Sequence, residues 1–321
     1  AKYIDCLERT LYNGVISGMS VDGGRFFYPN PLSSDGEYRF NADGNTTRQP
    51  WFGCACCPSN LCRFIPSLPG YMYATDNSSV YVNLFADNEA QMTVNGKSVK
   101  LKQTTRYPWD GDISIKVKQN KAGRFAMKIR IPGWARGEAV PSSLYSFTDK
   151  SVKGGFRVTV VDGKKEIDVT TAGINKGYLT VDRKWKKGDE VRIHFDMPVR
   201  EIVADSHVMA DRGRVAIQRG PLVYCAETAD NKGHDVLHTV MPKNAAFSIV
   251  DNYRIENTES GAGAFSVTAL TVPTQTIDTT ADGKWKLSDV KLTMIPYYAW
   301  NHRGTTRMCV WMPQTPDMLD E

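Results

Sequence analysis

The chain has 321 residues, of which 41% are hydrophobic and 23% charged, so its composition is that of a globular protein with enough apolar side chains to build cores. Its 40 basic residues nearly balance its 35 acidic ones, which excludes the concentrated positive charge of a nucleic-acid-binding protein. No stretch approaches the roughly 18 consecutive apolar residues that a membrane-spanning helix requires.

The N-terminal segment predicts an amphipathic helix. Its apolar residues recur at every third or fourth position, namely at Ile4, Leu7, Leu11, Val15 and Met19. This spacing marks one face of a helix, which we expect to end near Gly18. Because the chain lacks an initiator Met and opens inside this helix, we expect it to be a fragment of a longer protein.

A dense group of cysteines follows. Four of the seven cysteines lie within nine positions, at Cys54, Cys56, Cys57 and Cys62. An odd count with this crowding is unlike the spaced, even pattern of a disulfide scaffold. Spacing alone leaves three alternatives open: a thiolate metal site, a reactive thiol, or a group of buried inert cysteines.

The residues after the cysteines predict a second helix. Pro58 suits the first position of this helix, because proline has no N–H to leave unpaired, and Pro66 should kink or shorten it. Cys56 and Cys57 would then lie at the helix N-terminus, where unpaired amides and the helix dipole favour a thiolate. Thiolates are also the ligands that zinc takes in sets of four, and the local sequence supplies at most three.

From about Ser78 the apolar period changes from 3.6 to 2. Short alternating runs such as "SVYVNLF", "DISIKVK" and "DEVRIHF" are separated by turn residues. Asn95-Gly96 predicts a type I′ hairpin, since both central residues of that turn need positive φ. Two blocks of such strands, 75–198 and 199–321, predict two consecutive antiparallel β-sandwich domains after a helical segment, 1–74.

Two further sets of side chains have plain interpretations. Cys225 and Cys309 alternate with apolar residues in predicted strands, so we expect buried thiols. The tryptophans of the β region would form either a sugar-binding platform or core packing, and core packing is the favoured interpretation. These residues are Trp109, Trp134, Trp185, Trp285, Trp300 and Trp311.

Several stretches carry a family resemblance. "WFGCACCPSNLCRF", together with "LERTLYN", "GMSVDGGRFFYPNPL", "GRVAIQRGPLVYCAE" and "IPYYAW…MCVWMP", resembles the bacterial β-L-arabinofuranosidases of glycoside hydrolase family 127 and its close relative, family 146. In that family an (α/α)6 barrel carries the active site and precedes two β-sandwiches. The resemblance therefore implies that residues 1–74 are the C-terminal edge of such a barrel.

The resemblance also implies roles for individual residues. Cys56 would be the nucleophile, and Cys56 and Cys57 would bind Zn²⁺ together with a Glu and a Cys from an upstream Glu-x-Cys motif. Cys54 matches a position close to the metal and is counted with the metal-binding cysteines, and Glu8 matches an acid of the active-site region. The upstream motif and the general acid/base Glu would precede residue 1, so we expect this chain alone to be inactive.

The resemblance implies a retaining hydrolase that releases L-arabinofuranose from arabinosides or plant glycans. The alternative is a non-catalytic carbohydrate-binding or scaffold protein with structural cysteines. Expected partners are a small oligosaccharide or plant glycan substrate, with a homodimer as an open possibility and no nucleic acid. By analogy with glycan-degrading bacteria we expect a periplasmic location.

Overall fold

The computed structural model describes residues 1–149, 155–259, 263–279 and 285–318. The chain divides into two compact units. In its described parts, the first unit comprises Ala1–Glu8, Phe64–Pro141 and Lys150–Pro198, and the second comprises Arg9–Arg63, Ser142–Asp149 and Val199–Glu321. No helix in the described ranges is long and apolar enough to cross a membrane.

The N-terminal helical stretch has three parts. These are the α-helix α1 (Lys2–Arg9), a π-helical turn (Thr10–Val15) and a 3₁₀ turn (Ile16–Gly18). The stretch ends at Gly18, as the periodicity predicts, although it is not one regular α-helix.

Asn13 accounts for the change of helix type. Its Nδ2 donates to the backbone carbonyl of Arg9 at 2.8 Å and to that of Pro221 at 2.9 Å, and its Oδ1 accepts from the N–H of Val223 at 2.7 Å. A side chain that binds the carbonyl four residues earlier competes with the regular backbone ladder. From the π-helical turn, Asn13 thus binds both its own helix and the backbone at Pro221 and Val223.

The second helical stretch is also divided. It consists of α2 (Cys56–Phe64), a 3₁₀ turn (Ile65–Ser67) and α3 (Pro69–Met72). The α-helix ends before Pro66, as predicted.

The predicted position of Pro58 was wrong by two residues. Pro58 is the third residue of α2, and the first bond of the helical ladder runs from the N–H of Ser59 to the carbonyl of Ala55 at 3.1 Å. Proline is tolerated at the third position because the first N–H groups of a helix have no partner within it. The correction leaves Cys56 and Cys57 in the first turn of the helix.

Strands make up about half of the remaining described residues. In chain order they are β1 (Ser33–Ser34), β2 (Tyr73–Thr75), β3 (Ser79–Val82), β4 (Asn88–Val94), β5 (Lys97–Thr105), β6 (Asp112–Asn120), β7 (Arg124–Arg130), β8 (Tyr145–Phe147), β9 (Phe156–Asp162), β10 (Lys165–Asp168), β11 (Ile174–Asn175), β12 (Tyr178–Lys184), β13 (Glu190–Phe195), β14 (Val199–Ala204), β15 (Arg214–Arg219), β16 (Leu222–Glu227), β17 (Thr239–Val240), β18 (Ser248–Ile255), β19 (Phe265–Thr279), β20 (Trp285–Pro296), β21 (Met308–Cys309) and β22 (Met312–Pro313). The chain is therefore mainly β with a short helical part at its N-terminal end, the predicted fold class.

The first unit contains two sheets. One has the order β10-β9-β13-β6-β5-β4 and the other β11-β12-β7-β3-β2. Their pairs are antiparallel except for the parallel pair of β3 and β7. Asn95 and Gly96 join β4 and β5 with φ of 51° and 67°, which confirms the predicted hairpin turn. Alternate apolar residues of both sheets are buried, as in a sandwich.

The second unit is built on one branched sheet with the main path β17-β19-β20-β16-β15-β14-β8. The strand β16 pairs with β15 near its start and with β21 at its end. Cys225 in β16 and Cys309 in β21 are buried, as expected.

The core interpretation of the tryptophans is confirmed for part of the set. Trp134, Trp185 and Trp300 are buried, whereas Trp285 is 62% exposed.

Candidate active site

The cysteine group lies in the second unit. Cys54 and Cys56 are exposed, Cys57 is half-buried, and all seven cysteines, each within the described residues, are free thiols. The Sγ atoms of Cys56 and Cys57 are 3.9 Å apart at the start of α2. Because Cys54, Cys56 and Cys62 are exposed, the alternative of buried inert cysteines is wrong for them.

A tyrosine completes the group. The Tyr28 hydroxyl lies 2.7 Å from Sγ of Cys56. Its ring packs edge-to-face on Phe52, with the ring centroids 5.3 Å apart, and its backbone N–H donates to Oδ1 of Asn41 at 2.8 Å. Asn41 is buried and donates in turn to the carbonyl of Thr47 at 2.8 Å. The phenol is therefore held from both its ring and its backbone.

The residues on either side of Tyr28 in the sequence are tied to the rest of the second unit by backbone and side-chain contacts. Phe26 pairs with Gln49 by two backbone hydrogen bonds of 2.7 and 2.9 Å, and the buried Phe27 stacks on the ring of Trp300 and contacts the guanidinium of Arg48. The guanidinium of Arg48 is fully buried and donates to backbone carbonyls, which ties this segment to the rest of the second unit. The carbonyls are those of Ser17, Trp300, Asn301 and Tyr298.

The pKa values of the two neighbouring thiols, Cys56 and Cys57, are shifted in opposite directions. The hydrogen bond from Tyr28 lowers the pKa of the Cys56 thiol, and bonds with Cys57 and Cys54 add to this effect, whereas partial desolvation opposes it. Burial raises the pKa of the Cys57 thiol, and its hydrogen bond to Cys56 raises it further. The same bond to Cys56 raises the pKa of Tyr28, so the phenol keeps its proton and is the donor. Cys56 is therefore the better nucleophile of the pair.

We expect iodoacetamide at pH 7 to alkylate Cys56 at least about threefold faster than Cys57, because alkylation follows the thiolate fraction more strongly than it follows intrinsic nucleophilicity. Peptide mapping of the folded 321-residue chain measures both rates. The buried Cys225, whose pKa is raised by burial, is the control that should stay unlabelled. Equal labelling of Cys56 and Cys57 would contradict the assignment.

The thiol pair also has the spacing of two zinc ligands. Zn–S distances of about 2.3 Å in a tetrahedral site place two sulfurs about 3.8 Å apart, close to the observed 3.9 Å. Among the described residues, however, no three His, Cys, Asp or Glu side chains are grouped to hold a metal. The pair thus fits part of a zinc site, and the remaining ligands would come from elsewhere.

Glu8 belongs to the first unit and is buried. Its carboxylate accepts from the hydroxyl of Tyr107 at 2.7 Å, from Nε1 of Trp134 at 3.3 Å and from both Nη atoms of the buried Arg130. This environment is typical of a structural ion pair. The catalytic role that the resemblance implies for Glu8 stays a prediction.

Tyr28 is the site residue that the sequence did not single out. It lies 28 positions before Cys56, in an extended segment without helical or strand periodicity. The resemblance includes its stretch, "RFFYPN", but assigns it no role. A tyrosine in that stretch carries no local signal of a contact with sulfur.

Three family models match the chain. The catalytic domain of the GH127 beta-L-arabinofuranosidases matches residues 1–70, the middle domain of the same enzymes matches 79–197, and the C-terminal domain of glycoside hydrolase family 127 matches 199–313. The matches cover the cysteine group and both β regions. The division of the chain at Ala74 and Pro198 stays a prediction.

Individual relatives agree with these matches. A curated non-reducing end beta-L-arabinofuranosidase of Bifidobacterium longum subsp. longum is 31% identical, over 97% of this chain and 45% of its own length. A solved GH127 beta-arabinofuranosidase is 47% identical with a TM-score of 0.88, over 99% of this chain and 46% of that one. A GH127 beta-L-arabinofuranosidase from Geobacillus stearothermophilus T6 is 36% identical with a TM-score of 0.80, over 97% and 46%. The chain spans somewhat under half the length of these relatives, and it belongs to glycoside hydrolase family 127.

Proposed function

We propose that this protein is a retaining glycoside hydrolase that releases L-arabinofuranose from β-L-arabinofuranosides in oligosaccharides or plant glycans, with Cys56 as its nucleophile. The observation that carries the proposal is the thiol of Cys56, exposed at the start of α2 and held by the Tyr28 hydroxyl at 2.7 Å. The family and the named activity of its relatives supply the substrate class.

The thiol would act in two displacements. In the first, Sγ of Cys56 attacks the anomeric carbon, the C–S bond forms as the C–O bond breaks, and a general acid protonates the leaving oxygen. In the second, water attacks the same carbon, the electron pair of the C–S bond returns to sulfur, and the water proton passes to a general base. Two inversions give net retention, as in glycosidases that use a carboxylate nucleophile.

The test is an assay of the intact gene product that contains this chain. With an aryl β-L-arabinofuranoside we expect release of the phenol and, by proton NMR, β-L-arabinofuranose as the first sugar product. The aryl α-L-arabinofuranoside is the control and should be cleaved far more slowly. Absence of hydrolysis, or release of the α-anomer first, would overturn the proposal. Saturable glycan binding without hydrolysis would favour a carbohydrate-binding protein instead.

We further propose that Cys56 and Cys57 bind Zn²⁺, with Cys54 beside them. The spacing of 3.9 Å between Cys56 and Cys57 supports this proposal. When bound, zinc would keep both sulfurs deprotonated.

We expect Cys57→Ser to lower the zinc content of the intact gene product severalfold, because one of the two thiolates is lost. Plasma mass spectrometry of the purified protein measures the content. The matched control is Cys62→Ser on the same helix, which should keep the zinc of the wild type. Equal zinc in both variants would contradict the proposed ligand set.

A periplasmic location and a homodimeric assembly accompany the proposal. Cell fractionation of the source bacterium tests the first, and light scattering of the purified gene product tests the second. Finding the protein in the cytoplasmic fraction would overturn the first proposal. A molar mass equal to that of one chain would overturn the second.

A further inference from the structure

We propose that Tyr28 assists the second displacement, by donating its phenol proton in a hydrogen bond to Sγ of Cys56 as this sulfur leaves the sugar. The inference rests on the proposed function, because it needs Cys56 to form a bond with the anomeric carbon. It assigns a task to a residue for which neither the sequence nor the family resemblance gives one.

The geometry places the donor before the reaction begins. The Tyr28 hydroxyl already lies 2.7 Å from Sγ of Cys56. The ring rests on Phe52 and the backbone is held by the buried Asn41, so little conformational freedom is lost when the hydrogen bond forms. A donor held in advance at the atom where charge develops is the arrangement that stabilises a transition state most effectively.

The strength of this hydrogen bond changes during the reaction, because the charge on the Cys56 sulfur changes. A phenol binds a thiolate strongly and a neutral thioether weakly, because hydrogen bonds to charged atoms are about twice as strong as those between neutral groups. The bond therefore weakens when Cys56 is converted to the thioglycoside. It strengthens again when water attacks the anomeric carbon, the C–S bond breaks and its electron pair returns to sulfur. Its net effect is to speed the release of the sugar from the enzyme.

The Tyr28→Phe variant tests the proposal. It keeps the ring that packs on Phe52 and removes only the hydroxyl, which is exposed, so the fold should be unaffected. Loss of a hydrogen bond to a charged group is expected to slow the second displacement by about 10- to 100-fold. Because the covalent intermediate then accumulates, kcat and KM should fall together, and kcat/KM should fall much less than kcat.

Two measurements on the intact gene product separate this role from a structural one. Steady-state kinetics with an aryl β-L-arabinofuranoside give the kcat and KM values. Mass spectrometry after a rapid acid quench should show one anhydropentose unit on Cys56 in Tyr28→Phe and much less in the wild type. Tyr38→Phe, at a tyrosine that is 74% exposed, is the matched control and should behave as the wild type.

The outcomes are distinct. If Cys56→Ser is inactive but Tyr28→Phe has wild-type kcat and KM and no adduct, the inference is wrong and the proposed function stands. A Tyr28→Phe variant with raised KM and no adduct would also overturn it, since the hydroxyl would then serve substrate binding. If Cys56→Ser keeps full activity, the proposed nucleophile and this inference fail together.

Discussion

Replacing Cys56 by Ser is expected to lower kcat/KM for an aryl β-L-arabinofuranoside by at least about 10³-fold in the intact gene product. A thiol becomes a nucleophile through its thiolate, and the hydrogen bond from Tyr28 lowers the pKa of Cys56 toward that form. A serine hydroxyl in the same place stays protonated near neutral pH. Its neighbour would be the Tyr28 phenol, which lies 2.7 Å from the Cys56 sulfur and is too weak a base to take the proton of a serine hydroxyl.

The control for this experiment is Cys62→Ser. Cys62 lies on the same helix, is exposed, and undergoes the same exchange of sulfur for oxygen. It should keep wild-type kcat and KM, and circular dichroism should show both variants folded. Hydrolysis by Cys56→Ser within tenfold of the wild-type rate would show that another residue attacks the sugar.

Those parts of the fold that depend on near neighbours in the sequence were predictable. The end of the first helical stretch at Gly18 follows from the spacing of its apolar side chains, and the Asn95-Gly96 turn follows from the φ values that these two residues adopt readily. The location of Cys56 and Cys57 at the start of α2 was also predicted from neighbouring residues. Pro58 was expected to be the first residue of this helix and is its third.

Contacts between distant segments were not predictable. The parallel pair of β3 and β7 reverses the antiparallel pairing expected from hairpin patterns, and it brings together strands more than 40 residues apart. The strands β1 and β8 have two and three residues, too few to show any period, and they form only by pairing with β21 and β14, which lie far away in the sequence.

The contact of Tyr28 with Cys56 is of the same kind. It depends on the pairing of Phe26 with Gln49, on the buried guanidinium of Arg48 and on the amide of Asn41. Each of these residues is unremarkable in the sequence. The family resemblance therefore pointed to Cys56 as the candidate nucleophile, whereas its hydrogen-bond partner Tyr28 could be found only in the folded structure.

Replacing Arg130 by Met is expected to destabilise the first unit by about 3–5 kcal/mol, because breaking a buried ion pair leaves an uncompensated charge behind. Nη1 of Arg130 binds Oδ1 of Asp5 at 2.8 Å, both of its Nη atoms bind Glu8, and its Nε donates to the carbonyl of Asn83. Burial alone would lower the pKa of Arg130, but the charge of Glu8 and the hydrogen bond to it outweigh burial and raise the pKa. The guanidinium is thus charged, and the carboxylates of Asp5 and Glu8 balance its charge.

Hydrogen exchange of the β7 amides in increasing urea measures this effect within the first unit, without assuming that the whole chain unfolds in one step. The control is Arg124→Met on the same strand. Its ion pair with Asp182, 3.1 Å between Nε and Oδ1, is exposed and should contribute about 0–1 kcal/mol. Equal losses in the two variants would show that burial does not decide the strength of these pairs.

A double-mutant cycle with Glu8→Gln then decides what Glu8 does. If Glu8 acts by matching the charge of Arg130, the double variant should be more stable than the two single losses predict, by about 1–3 kcal/mol. Additive losses would contradict that coupling. Glu8→Gln should then also keep most of the wild-type kcat at a temperature at which the variant is folded, because the carboxylate acts on the fold and not on the sugar. A loss of kcat of about 10²-fold or more in the folded variant would instead assign Glu8 to the reaction, as general acid–base catalysis requires.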